Sequence, residues 1–224
     1  MGVDGITVRV VMVRHGQSVW NDERRYQGHG DPGLSDRGHA QARDLARYLV
    51  ASFGGFDAVV ASDLRRVRET FRPWADRTGI EPTLDSRWRE VDVGTWSGRT
   101  HDEIAASEAS VLADLRRGQD VARGAGETSA AHRARIGGAH TALIKSIAER
   151  ASPGEQLQAL VFTHCGSIQV AAAEILDLPP MGHRWLIAPA NCSVSVFQHG
   201  VDRSGRITSS LVNYAHDSSQ VELV

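Results

Sequence analysis

Apolar and polar residues recur along this chain at two different periods, and each period marks a kind of element. Residues 8–13 read VRVVMV, a short β-branched run suited to a buried parallel strand. Ala42, Leu45, Ala46, Leu49 and Phe53 follow at helical spacing and predict an amphipathic helix, capped by Ser35 or Asp36. Residues 57–61 (DAVVA) predict a second strand and residues 64–78 a second helix. Further on, residues 157–163 (LQALVFT) predict a strand and residues 166–176 the helix after it. Residues 193–197 and 207–214 read as late strands, the second preceded by a turn at 202–205. This alternation predicts an α/β fold, a three-layer α/β/α sandwich around a mostly parallel sheet.

Residues 100–150 have a different texture, rich in Ala, Arg, Glu and Ser, with helical patterns broken around 117–126. They read as a helical insertion over the sheet's edge, near the active site, within one domain spanning 1–224. Gly118 and the Gly124-Ala125-Gly126 run are breaks at which part of the insertion could move.

Composition narrows the function. A net charge of −2 gives no electrostatic reason to expect a nucleic-acid partner. Two cysteines, Cys165 and Cys192, are too few for a disulfide framework. The first residues lack a basic start with a long apolar run, and no stretch reaches the roughly 20 apolar residues of a membrane span. The expectation is a cytoplasmic protein with no membrane partner.

Four short segments carry candidate chemistry. Arg14-His15-Gly16 follows the first strand: a neutral imidazole can attack phosphorus, and a guanidinium beside it can hold the phosphate bidentately. Gly16 would let backbone approach that phosphate. His164-Cys165-Gly166 also ends an apolar strand and opens a helix, which favours an anion. Ser62-Asp63-Leu64-Arg65-Arg66 opens the second helix, where an arginine can point to the same sheet edge. Arg89-Glu90 offers a carboxyl that could protonate a leaving oxygen if shielded from water. Each segment alone also fits a bland reading as a surface pair or solvated helix face.

In order, RHGQS at 14–18, Asn21, RYQG at 25–28, DPGLS at 31–35, SDLRRVRET at 62–70, RE and GTWSG within 89–98, GET at 126–128 and HCG at 164–166 resemble the histidine phosphatase superfamily, whose members are similar to cofactor-dependent phosphoglycerate mutase. The resemblance implies that His15 is the nucleophile and that Arg14, Arg66 and His164 clamp the phosphoryl group. Arg66 rather than Arg65 is implied because the family's arginine directly precedes a small residue, here Val67. Glu90 falls on the proton donor, while Asn21, Gln27 and Gly28 fall on positions lining the pocket. With arginine and histidine supplying the charge, neither a metal nor a cofactor is expected. The expected partner is a small phosphorylated substrate, and a homodimer is compatible with the sequence.

The chain departs from the family's pattern in two places. Cys165 stands where a glycine is usual, so its Cβ would narrow the phosphate pocket, and GAGET replaces a GGES-like run. Phosphatase is favoured over mutase because only 164 − 90 = 74 positions separate Glu90 from His164, and HCGS lacks the mutases' His-Gly-Asn form. A non-catalytic phospholigand-binding relative is the third reading, disfavoured because His15, Arg14, Arg66, Glu90 and His164 are all present. Arg116, Arg117, Arg123, His132, Arg133 and Arg135 are candidate contacts for an acidic or sugar-phosphate substrate, and Trp20 and Tyr26 for its apolar face.

Overall fold

The central strand β1 (Ile6–Arg14) is buried on both faces, and its alternating side chains join two separate cores. Val8, Val10 and Met12 enter one, Val11 and Val13 the other, as the period of 2 in a strand requires. Strand β4 (Gln156–Thr163) lies parallel beside β1 and divides in the same way, with Ala159 and Val161 on one side and Leu160 and Phe162 on the other. The structure is a computed structural model that describes residues 5–218.

Helices α2 (Asp36–Ser52) and α3 (Arg65–Thr78) cover one face of the sheet with Leu45, Leu49, Val67, Phe71 and Trp74. Ser35 caps α2 by accepting from the Gly38 N–H at 3.1 Å. A one-turn helix, α1 (Val19–Asp22), precedes α2. The other face carries α6 (Ser129–Ala148) and α7 (Cys165–Ile175). Three layers result, with six strands in the order β3-β2-β4-β1-β5-β6. Strands β2 (Ala58–Ala61) and β3 (Thr83–Leu84) continue the parallel part, whereas β5 (Val194–Val201) and β6 (Ile207–His216) are antiparallel. The sheet is therefore mixed, and the antiparallel run begins at the β1–β5 pairing.

The segment 100–150 is helical, but it does two different jobs. Helices α4 (His101–Ser107) and α5 (Ala109–Arg116) pack Ile104, Leu112 and Leu115 with Val93 and Trp96 into a small core of their own. Helix α6 instead lays Ile136, Ala139, Leu143, Ile144 and Ile147 on the sheet. The second half of the segment is thus a layer of the sandwich, not an insertion over its edge. Among the described residues no helix is long and apolar enough to cross a membrane.

Topology places the site. Parallel strands β1, β2 and β4 end at one edge, delivering Arg14 and His15, Ser62, and His164 in turn. Because β5 runs the other way, the turn just before it, with Asn191 and Cys192, reaches that same edge, where the Cys192 N–H meets the Arg14 carbonyl at 3.1 Å.

Candidate active site

His15 is buried, with 4% of its surface exposed, and its Nδ1 lies 2.7 Å from the Gly16 carbonyl. A carbonyl only accepts, so Nδ1 carries the proton and Nε2 keeps a free lone pair. Burial, and then the charges of Arg66 and Arg14, hold the imidazole well below its usual pKa. At neutral pH the ring is uncharged. The backbone around it is fixed: the His15 N–H bonds the Thr163 carbonyl at 3.0 Å, and Asn191 Nδ2 donates to the His15 carbonyl at 3.0 Å.

Gly16 serves a different approach from the one its motif suggests. A Cβ there would stand 2.8 Å from the Gly38 carbonyl, so the glycine admits the first turn of α2. The Gly16 N–H is held by Thr70 Oγ1 at 2.9 Å, and that hydroxyl in turn donates to the Arg66 carbonyl at 2.6 Å.

Arg66 is fully buried. It donates through Nη1 to the Gly30 carbonyl at 2.7 Å and through Nη2 to the Gly28 carbonyl at 2.8 Å. Desolvation lowers its pKa to about 10, which leaves it charged at pH 7. Arg65 points outward and pairs with Glu69 at 2.7 Å. Gly28 adopts φ +51°, and a Cβ on it would meet the Val93 side chain at 2.6 Å, so this loop closes around Arg66 only with glycine there.

Arg66 Nη2 also lies 3.2 Å from His164 Nδ1. The guanidinium has only protons to give, so Nδ1 accepts and His164 carries its proton on Nε2, 2.9 Å from Ser62 Oγ. Burial, then Arg66 and His15, depress the pKa of His164 well below the usual range. The two imidazoles stand edge to face, with centroids 5.2 Å apart. In this arrangement both nitrogens of His164 are engaged, and it orients Arg66. The Nε–H groups of both Arg14 and Arg66 are buried without an acceptor among the described residues, while Arg14 Nη1 donates to the Pro189 carbonyl at 2.6 Å.

Glu90 sits beside the start of α7, accepting the Gly166 N–H at 2.9 Å and its neighbour Val91 N–H at 2.9 Å. Burial alone would raise its pKa, but His132, these two N–H bonds and Arg66 together hold it below the usual value. His132, pushed down to about 4 mainly by burial, is itself uncharged at neutral pH. The loop carrying Glu90 is pinned by Arg135, which donates to the carbonyls of Arg87, Arg89 and Glu90 at 2.8–3.0 Å and forks onto Glu127.

Asn21 and Gln27 support the loop after β1. Asn21 Oδ1 accepts the Ser18 N–H at 3.1 Å, closing a capping box on α1, and Gln27 Oε1 accepts from Ser18 Oγ at 2.8 Å. Cys165 is the first residue of α7; burial pushes its thiol up to about 11, which keeps it protonated and unreactive.

A cavity of about 380 Å³ opens beyond Glu90, lined by Tyr26, Cys165, Arg123, His132, His183 and Arg184 among others. Of the candidate contacts in 116–135, Arg123 and His132 line it. Arg133 pairs with Glu174 at 3.5 Å, and Arg117 with Asp114. Trp20 packs over Gly98 instead of facing the cavity, 3.3 Å from where a Cβ would sit. Asn191, His183 and Arg184 carry no motif signal strong enough to single them out in sequence, and Thr70 closes the 62–70 motif without being singled out within it. The one usable hint for Asn191 was its place just before an apolar strand.

Residues 10–209 match the histidine phosphatase superfamily (branch 1), and the chain belongs to this family. It is 33% identical over 193 residues to the probable phosphoglycerate mutase GpmB of Erwinia tasmaniensis, covering 86% of this chain and 85% of that one. Over 99 residues it is 41% identical to the glucosyl-3-phosphoglycerate phosphatase of Mycolicibacterium vanbaalenii, 44% of this chain and 43% of that protein. Among solved structures, a mycobacterial glucosyl-3-phosphoglycerate phosphatase in complex with VO3 superposes with a TM-score of 0.77 at 28% identity, covering 93% of this chain and 99% of that one.

Proposed function

We propose that this chain is a phosphatase that hydrolyses a small phosphomonoester through a phosphohistidine at His15, without a metal. The observation that carries the reading is the His15 ring itself: its tautomer leaves Nε2 free, and the charges of Arg14 and Arg66 lie close enough to depress its pKa. Two buried Nε–H groups on those arginines have no acceptor among the described residues, and they are donors of the kind that phosphoryl oxygens accept from.

In the first step Nε2 forms a bond to phosphorus while the ester P–O bond breaks, and Glu90 gives a proton to the departing oxygen. Since Glu90 is a carboxylate in the free enzyme, that proton enters with the substrate. A phosphomonoester monoanion carries one, and the phosphate's charge beside the carboxylate favours its transfer there. In the second step water attacks phosphorus and passes its proton to Glu90, releasing phosphate and restoring His15. Arg66, held by Gly28, Gly30 and His164, balances the charge that builds on the phosphoryl oxygens.

The name of the Erwinia relative keeps phosphomutase as the second reading. One experiment separates them. Enzyme treated with EDTA and a labelled phosphomonoester is quenched in alkaline detergent, the retained label is then compared in alkali and in acid, and free phosphate is counted with no bisphosphate primer present. The phosphatase reading expects alkali-stable, acid-labile label that His15→Ala abolishes, together with steady phosphate release. Faster isomerisation of 3-phosphoglycerate than phosphate release would favour the mutase. Near-normal turnover by His15→Ala would remove the phosphohistidine.

A further inference from the structure

Three successive peptide planes carry the loop of His15, and hydrogen bonds engage both ends of each. In the plane joining His15 to Gly16, the carbonyl accepts from Asn191 Nδ2 at 3.0 Å and the N–H donates to Thr70 Oγ1 at 2.9 Å. In the plane joining Gln17 to Ser18, the carbonyl accepts the Ser35 N–H at 2.9 Å and the N–H donates to Asn21 Oδ1 at 3.1 Å. The middle plane, from Gly16 to Gln17, differs from both. Its carbonyl accepts from His15 Nδ1 at 2.7 Å, and its N–H donates to Gln41 Oε1 at 2.9 Å.

The middle plane decides which nitrogen of His15 is free. An imidazole can carry its proton on either nitrogen, and the partner that one nitrogen finds selects the tautomer. A trans peptide is rigid, with its N–H and C=O pointing in opposite directions. Whatever grips the Gln17 N–H therefore also aims the Gly16 carbonyl. Gln41 supplies that grip. A backbone N–H only donates, so the side-chain amide must turn its oxygen toward the loop. Gln41 lies in the second turn of α2, and the first turn of that helix is pressed against the same loop. A Cβ on Gly38 would stand 2.0 Å from the Gln17 carbonyl oxygen, so only glycine lets helix and loop lie this close.

Thr70 grips the neighbouring plane from α3. Its hydroxyl hydrogen goes to the Arg66 carbonyl at 2.6 Å, so toward Gly16 its oxygen acts as acceptor. One side chain thereby links the helix that carries Arg66 to the loop that carries His15. Thr70 is wholly buried, whereas Gln41 is partly exposed beside Arg14, at a cavity of about 320 Å³.

We propose that Gln41 and Thr70 are positioning residues: they clamp the two peptides that meet at Gly16, hold the Gly16 carbonyl on His15 Nδ1 and so present Nε2 for attack. Neither acts on the phosphoryl group itself. The consequence for rate rests on the phosphohistidine reading. The consequence for the imidazole does not, because the tautomer is a property of the free enzyme.

The ring nitrogens of isotopically labelled enzyme, read by long-range proton–nitrogen correlation at neutral pH, test the clamp directly. The His15 signals are those that disappear in His15→Ala. Wild type should show the Nδ1–H tautomer alone. Gln41→Met keeps the length and removes the acceptor, and Thr70→Val keeps the shape and removes the hydroxyl. Each should lower the Nδ1–H fraction to about a third or less, and the burst of p-nitrophenolate in a single turnover should slow by the same factor, because only that fraction is competent. Thr70→Ser, which retains the hydroxyl, should restore both the signals and the rate, an outcome that mere damage to the core does not predict. If Thr70→Val does not fold, Gln41→Met decides alone, since its partly exposed site leaves the freed N–H to water.

An unchanged Nδ1–H fraction in the folded variants would overturn the proposal. So would a lowered fraction with an unchanged burst, provided that wild type is labelled at His15. Wild type that takes up no label sinks the phosphatase reading instead, while the nitrogen signals still decide the clamp.

Discussion

A Cβ placed on Gly166 would stand 2.3 Å from Glu90 Oε1, while Glu90 Oε2 accepts the Gly166 N–H at 2.9 Å. The second motif, His164-Cys165-Gly166, therefore needs its glycine at the third position, where a carboxylate leans on the backbone. Sequence alone pointed to Cys165 as the constrained position, because a family pattern shows which residue is unusual but not which one is crowded. Two substitutions should separate the positions. Cys165→Gly should change kcat by less than about tenfold for any substrate, since the protonated thiol takes no part in chemistry. Gly166→Ala should push the carboxylate aside and slow alkyl phosphates by about 10²-fold or more, but p-nitrophenyl phosphate far less, because p-nitrophenolate departs without a proton. Equal slowing of both substrates by Gly166→Ala would mean that Glu90 does not act as the acid.

At the scale of elements, most of the sandwich was legible because its central strands are short, β-branched and buried on both faces. Helix α6 was not. Its apolar stripe, Ile136, Ala139, Leu143, Ile144 and Ile147, is interrupted by Gly137, Gly138 and His140, so it looked like one more polar helix of an insertion. The polar residues of α6 misled in the same way. Arg135 resembled a substrate contact, yet it is the clamp that ties the Glu90 loop to α6 through three carbonyls and Glu127. With both side chains about four-fifths buried, removing one partner leaves the other and three carbonyls unpaired. Arg135→Gln should cost about 2–4 kcal/mol in urea unfolding. Arg72→Gln, which breaks a solvent-exposed pair with Glu81, should leave the unfolding midpoint unchanged. If both variants unfolded at the wild-type midpoint, the Glu90 loop would have to be held by something other than α6.

For the molecule as a whole, strand topology decides what converges. The motifs on β1, β2 and β4 could be placed at one edge from sequence, since parallel strands end together. Asn191 could not, because the reversal of β5 leaves no local signature. The same fold also encloses histidines that take no part in the site. His140 and His199 stand edge to face in the core, centroids 4.9 Å apart, between Trp88 and Phe197, and the Nε2 of each is buried without a hydrogen-bond partner among the described residues.

Burial lowers their pKa values to about 3 for His140 and about 4 for His199, against 6.5 for an ordinary imidazole. His132, His15 and His164 are depressed as well. The unfolded chain thus binds more protons than the folded one below pH 6.5, so stability is fully present above that value and lost as pH falls toward 4 and 3. Each imidazole contributes a slope of up to about 1.4 kcal/mol per pH unit, against a total stability of roughly 5–15 kcal/mol. Cooperative unfolding is therefore expected between pH 6 and 4, before most carboxylates protonate. His140→Leu removes one such proton and one orphaned nitrogen without touching the site. In circular-dichroism unfolding across pH 7 to 4 it should flatten the dependence by about one proton and lower the acid midpoint. A wild-type stability that stays level from pH 6.5 to 4.5, or a His140→Leu slope identical to wild type, would show that the core tolerates these charges. Acid would then limit the enzyme only through its nucleophile and not through its fold.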